Sequence, residues 1–458
     1  MKIRRLFSLF FCLVLALSLA APARAAADDV GDWEVEAKAA LLIDPDTEEI
    51  LYARNIHERL YPASLTKIMT CLLVLEAIDS KVIDMDTVLT ASEPAVTSIP
   101  PDGSTAGIQV GEELTVEELL YCIMLSSANE GCNILAEAVS GSIEAFVEKM
   151  NDKAAALKCE DTRFANTNGL PDPNHYTTAW DLYVITKEAR THPEFMPLVG
   201  TIYHEVPATN LSEARKLYTT NYLISSYRTS YYLYQGADGI KTGSTSAAGH
   251  CLVASASRSG RSLLSVVLGT ERVTLEDGTI LTKSFVETGK LFDWGFDGFT
   301  RQILLGGDEL VGEVPVTLSQ EQNTVKVHPS EEVERLLPKE MNPKTDVDRT
   351  ITLTEESVEA PVTKGQVLGQ MTLSSGDTVY AVVDLLADED VSASRLLVFR
   401  RDLVEFLQRP AVWIAAGGAV GVVVLLLVLR AVLKSRRRRY SRRSARSGRN
   451  TGYRGRRR

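Results

Sequence analysis

Apolar positions along the chain change rhythm several times, and each change predicts an element. Residues 39–43 and 50–53 are short apolar runs separated by Asp44-Pro45-Asp46, the pattern of a β-hairpin. Pro62-Ala63 then leads into a helix at Ser64 whose next fourteen or so residues, LTKIMTCLLVLEAI, are apolar nearly all round. A helix without a polar face is a buried one. Thr115-Val-Glu-Glu118 has the spacing of a capping box and opens a second helix, LLYCIMLSS. That helix is interrupted at Ser127-Ala128-Asn129 and apolar periodicity resumes at Cys132. Further helices are predicted over 143–157 and from Thr178 to about Ala189. The period then drops to two: 250–256 and 262–268 are β-rich runs joined by Ser257-Arg-Ser-Gly260. An amphipathic helix near 280–294 follows. Early and late strands around a helical middle predict an α+β domain with an antiparallel sheet.

From about 299 to 397 the runs shorten to pieces such as 351–353, 370–373 and 379–385, set between Gly and Pro turns, and predict a small all-β module. Residues 400–409 are amphipathic and lead into 411–429, nineteen residues without a charge, long enough for a transmembrane helix. Trp413 suits the outer interface, and twelve arginines without an acid from Ser435 onward place the tail in the cytoplasm. At the other end, Lys2, Arg4 and Arg5 precede an apolar run that ends in Ala23-Arg24-Ala25, a cleavable export signal. The expected organisation is a signal peptide over 1–25, the α+β domain over 26–297 and an all-β domain over 298–397. A juxtamembrane segment (398–410), a transmembrane helix (411–433) and a basic cytoplasmic tail (434–458) complete it.

Charge sharpens this division. Of 49 basic residues four lie in the signal and fourteen from Arg430 onward, leaving 31 against all 60 acids, so the exported part carries about −29. That argues against nucleic acid or an anionic surface as its main partner. Outside the signal there are five cysteines, Cys71, Cys122, Cys132, Cys159 and Cys251, in apolar settings and without a C-x-x-C pair. They are expected to be buried free thiols and not a disulfide framework. No group of His, Cys, Asp or Glu has metal-ligand spacing, and no Gly-rich phosphate loop is present, so neither a metal nor a cofactor is expected.

Candidate chemistry starts at the buried helix. Ser64 and Lys67, at i and i+3, share a face of its first turn. There the backbone N–H groups are unpaired and the dipole is positive, so a hydroxyl that attacks a carbonyl finds an N–H for the developing oxyanion. A lysine one turn on takes the hydroxyl proton if burial lowers its pKa. Alone, Ser-x-x-Lys arises about once by chance in a chain of this length, and Ser64 then reads as a helix cap and Lys67 as a snorkelling side chain.

Three elements in order change that. Ser64-x-x-Lys67, Ser127-Ala128-Asn129 and Lys241-Thr242-Gly243, in an exported chain, resemble the motifs of the penicillin-binding proteins and serine β-lactamases. Within that superfamily the chain is similar to the D-alanyl-D-alanine carboxypeptidases of low molecular mass. Asn168-Gly-Leu-Pro171, His175-Tyr-Thr-Thr-Ala179 with Asp181, the stretch 362–369 (VTKGQVLG) and the carboxy-terminal anchor follow that family's layout. The resemblance implies a penicillin-binding/β-lactamase-like domain, an antiparallel sheet with a helical subdomain, followed by the all-β domain. It implies removal of the terminal D-alanine from peptidoglycan pentapeptide stems through an acyl-enzyme, and binding of β-lactams. Ser64 would be the nucleophile, Lys67 its base and Ser127 the proton relay to the departing D-alanine. Asn129 would order the lysine and the substrate amide, and Lys241 would hold the substrate carboxylate. Thr242 and Gly243 would line the strand along which the peptide lies, with the N–H groups of Ser64 and Ser244 as the oxyanion hole.

One position departs from the family. Where it often has an arginine just before a Phe in the closing helix, Lys283-Ser284 precede Phe285, which leaves Lys283 or Arg272 as the alternative carboxylate contact. His175 is expected to be a loop or helix-entry residue. Two other readings share the motifs. A serine β-lactamase usually carries a Glu-x-x-Leu-Asn pattern, not found in the region expected. A non-catalytic penicillin-binding wall scaffold has no need of Ser64, Lys67, Ser127 and Lys241 together.

Overall fold

The computed structural model describes residues 34–376 and 378–444, so the expected signal peptide and the end of the arginine tail lie outside the described residues. The chain forms two compact units, divided first after Leu304; 334–348 and 373–381 return to the first unit.

The first unit is built on a five-stranded antiparallel sheet. Its strands are β1 (Ala39–Asp44), β2 (Glu49–Arg54), β3 (Ala237–Thr245), β4 (Gly249–Arg258) and β5 (Arg261–Thr270), in the order β2-β1-β5-β4-β3. β1, β4 and β5 read as nearly continuous apolar runs because both sheet faces are covered. Leu41, Val253, Leu264 and Val266 face one core, and their neighbours Leu42, Leu252, Leu263 and Val267 face the other. On the second face lies α6 (Lys283–Gly298), which contributes Phe285, Leu291, Phe292 and Phe296. Helix α6 starts three residues later than its periodicity predicts. Residues 280–282 instead pair with Arg272–Thr274 as a two-stranded ribbon.

On the first face are α1 (Lys67–Asp79), α2 (Val116–Met124), α3 (Asn129–Ser140), α4 (Ile143–Ala156) and α5 (Ala179–Ala189). Helix α1 is the innermost, packed against the other four. Eleven of its thirteen residues are buried, as its lack of a polar face demands. Each Leu or Ile sealed in this way contributes roughly 2 kcal/mol. The capping box at Thr115 forms, with the Thr115 hydroxyl accepting from Glu118 N and the Glu118 carboxylate accepting from Thr115 N. Thr178 caps α5 by accepting from Asp181 N. All five cysteines expected to be free thiols are buried and unbridged.

A six-stranded sheet, formed by Gly312–Thr317, Thr324–Pro329, Asp348–Leu353, Val358–Glu359, Val367–Ser375 and Thr378–Ala387, lies for the most part in the second unit. The three apolar runs read as strands from the sequence all fall within it. Two helices follow, Arg395–Gln408 and Pro410–Ser444. In the second, Pro410–Arg436 is long and apolar enough to cross a membrane, with a mean hydropathy of 2.7 in its most apolar window.

Candidate active site

The site is assembled where α1, α3 and β3 meet. Ser64 stands in a 3₁₀ turn, Ala63–Thr66, that feeds directly into α1, so Lys67 is the first residue of the α-helix. The turn is tight: Ala63 is left-handed at φ 49°, a conformation that costs a residue with a Cβ about 1–2 kcal/mol. Two contacts hold it. Thr66 Oγ1 donates to the Ala63 carbonyl (2.9 Å), and Gly169, at φ 92°, lies so close to that carbonyl that any Cβ there would collide with it.

Beneath the turn lies His175, which sequence reasoning leaves as a loop residue. It is buried, its Nδ1 accepts from Ala165 N (3.1 Å), and its Nε2 is 2.8 Å from Thr66 Oγ1. With Nδ1 accepting and the Thr66 hydroxyl already donating to Ala63, the proton sits on Nε2 and points at Thr66. Burial pushes His175 down to about 4, which keeps the ring neutral. No local pattern could reveal this role, because the partners are 109 residues apart.

Lys67 is fully buried, and its Nζ has three oxygen neighbours: Ser64 Oγ at 3.0 Å, Asn129 Oδ1 at 2.7 Å and the Asn168 carbonyl at 2.7 Å. Burial pushes it down to about 8. Asn129 opens α3 and donates its own N–H to the Ser104 carbonyl (2.9 Å). The neighbouring Glu130, also buried, accepts at Oε1 from Thr105 Oγ1 and Ala106 N (2.6 and 2.8 Å), tying the 104–106 loop to the start of the helix. Ser127 lies in the break between α2 and α3 at φ 62°, buried, with its Oγ bonded to no protein group.

β3 supplies the last wall. Lys241 is buried, and its Nζ donates to the Thr242 carbonyl (3.0 Å). Burial, and then repulsion from Lys67, hold its pKa well below the ordinary lysine value. Thr242 Oγ1 is 2.5 Å from Thr220 Oγ1. Gly243 runs against the Ala63–Thr66 turn: a Cβ there would stand 2.9 Å from the Pro62 carbonyl and 3.1 Å from Ser64 N. Ser244 follows, exposed at the strand edge.

Ser64, Lys67 and Asn129 are thus joined by direct hydrogen bonds, Gly243 abuts Ser64, and the charges of Lys67 and Lys241 interact. The two alternative carboxylate contacts are not bonded to this group. Lys283 Nζ is paired with Glu36 (2.8 Å), and Arg272 Nε donates to Thr282 Oγ1 (3.4 Å). The Asn168 carbonyl was not legible as a ligand of Lys67, since a backbone acceptor leaves no residue-type signal. Among the described residues no group of His, Cys, Asp and Glu is arranged to hold a metal.

A five-stranded antiparallel sheet with helices on both faces and this Ser–Lys–Asn cluster beside its edge strand define the penicillin-binding/β-lactamase-like class. Residues 23–272 match the family described as D-alanyl-D-alanine carboxypeptidase, and 299–393 match the C-terminal domain of penicillin-binding protein 5. The chain belongs to the D-alanyl-D-alanine carboxypeptidase family. It is 33% identical over 398 residues to D-alanyl-D-alanine carboxypeptidase DacF of Bacillus subtilis, covering 86% of this chain and 97% of that one. Among solved structures, penicillin-binding protein 5 from Haemophilus influenzae is similar at 30% identity and a TM-score of 0.60, covering 79% of this chain and 99% of that one. The D-alanyl-D-alanine carboxypeptidase DacD from Francisella tularensis is similar at 25% identity and a TM-score of 0.62, covering 83% and 98%. These relatives favour neither the β-lactamase reading nor the scaffold.

Proposed function

We propose that the protein is a serine-type D-Ala-D-Ala carboxypeptidase that trims peptidoglycan pentapeptide stems and is acylated by β-lactams at Ser64. The observation that carries this is the surroundings of Lys67 Nζ. A neutral amine has two N–H groups and one lone pair. The Asn129 and Asn168 oxygens at 2.7 Å take the two N–H groups, which turns the lone pair toward Ser64 Oγ at 3.0 Å.

Ser64 Oγ attacks the carbonyl of the penultimate D-alanine while Lys67 takes its proton. The tetrahedral oxyanion is received by the N–H groups of Ser64 and Ser244. The otherwise unbonded Ser127 hydroxyl passes a proton to the nitrogen of the departing D-alanine, and its carboxylate is held by Lys241 and Thr242. Asn129 keeps Lys67 in place and borders the substrate amide, and Gly243 lets the strand lie close enough to the nucleophile for the peptide to pair with it. Water then hydrolyses the ester.

Residues 26–297 would form the catalytic domain and 298–397 the β domain. The segment 398–410 would lead to a membrane helix over 411–433, and 434–458 would form the basic tail. The signal over 1–25 and the apolar helix support a single-pass protein with its catalytic domain on the cell-wall side. The test is labelling by a fluorescent penicillin together with D-alanine release from a peptide ending in D-Ala-D-Ala. Both should be lost in Ser64→Ala, and an adduct mapped to another residue would overturn the assignment. Labelling with rapid turnover of the drug and no D-alanine release would favour a β-lactamase.

A further inference from the structure

Beside the nucleophile turn lies a cavity of about 310 Å³ whose lining includes Lys38, Arg59, Tyr61, Tyr176, Ala247 and Ala248. It stands out in a chain whose exported part is strongly acidic. Two cations and two phenols border it, and no carboxylate is in its lining. Arg59 is paired with Asp161 (2.7 Å) and lies over the Tyr176 ring, 4.9 Å from its centre. Lys38 is exposed, its stem lies against Gly269, and among the described residues no carboxylate pairs with it.

The place of the cavity follows from the chain. Tyr61 is three residues before Ser64, and Ala247 is three residues after Ser244, in the turn from β3 to β4. In the proposed reaction the scissile carbonyl lies between Ser64 N and Ser244 N, and the departing D-alanine points back along β3 toward Thr242 and Lys241. The retained part of the substrate must therefore run the other way, past Ser244 toward this turn. Three residues of strand span roughly 10 Å, which brings the second or third residue of the retained peptide to the cavity mouth.

We propose that this cavity is a specificity subsite for a carboxylate on the retained part of the stem peptide, with Lys38 as the principal cation and Arg59 in support. The inference rests on the carboxypeptidase reading for its direction, and it adds a preference that the reaction itself does not require. A peptide with a free carboxylate upstream of the scissile bond is taken in preference to one with a carboxamide at the same place.

The test compares acetyl-Glu-Ala-D-Ala-D-Ala with acetyl-Gln-Ala-D-Ala-D-Ala on the full-length protein in detergent, measuring D-alanine release at low and high salt. The wild type should favour the acid by roughly fivefold in kcat/KM at low salt, the upper range for a partly exposed ion pair. That ratio should shrink as salt is added. Lys38→Met should bring it to about one, and Lys38→Glu should invert it. A wild-type ratio near one, or a ratio that survives both substitutions, overturns the subsite. The same two peptides are also used to compete with fluorescent penicillin for Ser64. If penicillin labels the protein but neither peptide releases D-alanine, the carboxypeptidase reading fails, and the competition constants still decide the subsite. A preference for the acid there supports it, and equal competition overturns it.

Discussion

Changing Asn129 to aspartate tests the proposed base directly while changing only one terminal group. Asn129 Oδ1 lies 2.7 Å from Lys67 Nζ. In the wild type, burial has moved Lys67 from the ordinary 10.5 to about 8, so about one molecule in ten has it neutral at pH 7, against roughly one in 3,000 without the shift. A carboxylate within hydrogen-bond distance stabilises the ammonium and raises a lysine by about 1–3 units. Asn129→Asp should therefore lower the rate of acylation by a fluorescent penicillin at pH 7 by roughly 10- to 1,000-fold. The signature is its pH dependence. The rising limb, expected near 8 in the wild type with Lys67 as base, should move up by the same number of units, and most of the lost rate should return at high pH. Rapid-mixing measurements of labelling from pH 6 to 10 check this. An equal loss at every pH, which leaves the limb unmoved, would refute Lys67 as the base and leave Asn129 as a substrate contact only.

Three further outcomes follow from other parts of the site. His175 has its folded pKa depressed to about 4 against 6.5 unfolded, so between these values the unfolded chain binds the extra proton. Stability is then at its full value above about 6.5 and falls by about 3 kcal/mol as pH drops to 4. Urea unfolding of His175→Gln should show a weaker pH dependence than the wild type, and equal slopes would exclude the role. Gly243→Ala places a Cβ 2.9 Å from one backbone oxygen and 3.1 Å from Ser64 N, and prising the strand off the turn should slow acylation by about tenfold or more with Lys67 titrating as before. An acylation rate within twofold of wild type would contradict the close approach. For topology, protease added to wall-stripped cells should digest the catalytic domain and leave a tag at Arg458 protected, and the reverse pattern would overturn the proposed orientation.

Much of this arrangement is legible in the sequence because it is local. Ser64 and Lys67 meet through helical spacing, the capping box at Thr115 is a four-residue signal, and the break at Ser127 interrupts an otherwise regular apolar stripe. What escapes is whatever depends on distant chain segments meeting. The Asn168 carbonyl reaches Lys67 across 101 residues, and His175 supports Thr66 from 109 residues away. α6 starts three residues beyond where its periodicity puts it because Ile280–Thr282 pairs in a ribbon with Arg272–Thr274, and that pairing has no trace in hydrophobic periodicity. Nothing in the sequence joins Lys38 to Arg59, because only folding brings them to the same cavity.

That Lys67 begins the most enclosed helix of the unit makes its basicity hostage to dryness. A lysine wetted by a transient opening of α1 regains its ordinary affinity for protons, and at neutral pH it then stays charged and cannot serve as the proposed base. Catalysis should therefore fail with the first ingress of solvent, before spectroscopic signs of unfolding. In rising urea, loss of acylation should lead loss of helicity. The enzyme's own turnover is then a hygrometer for its core, and substitutions that loosen the packing around α1 should silence the site while the fold still stands.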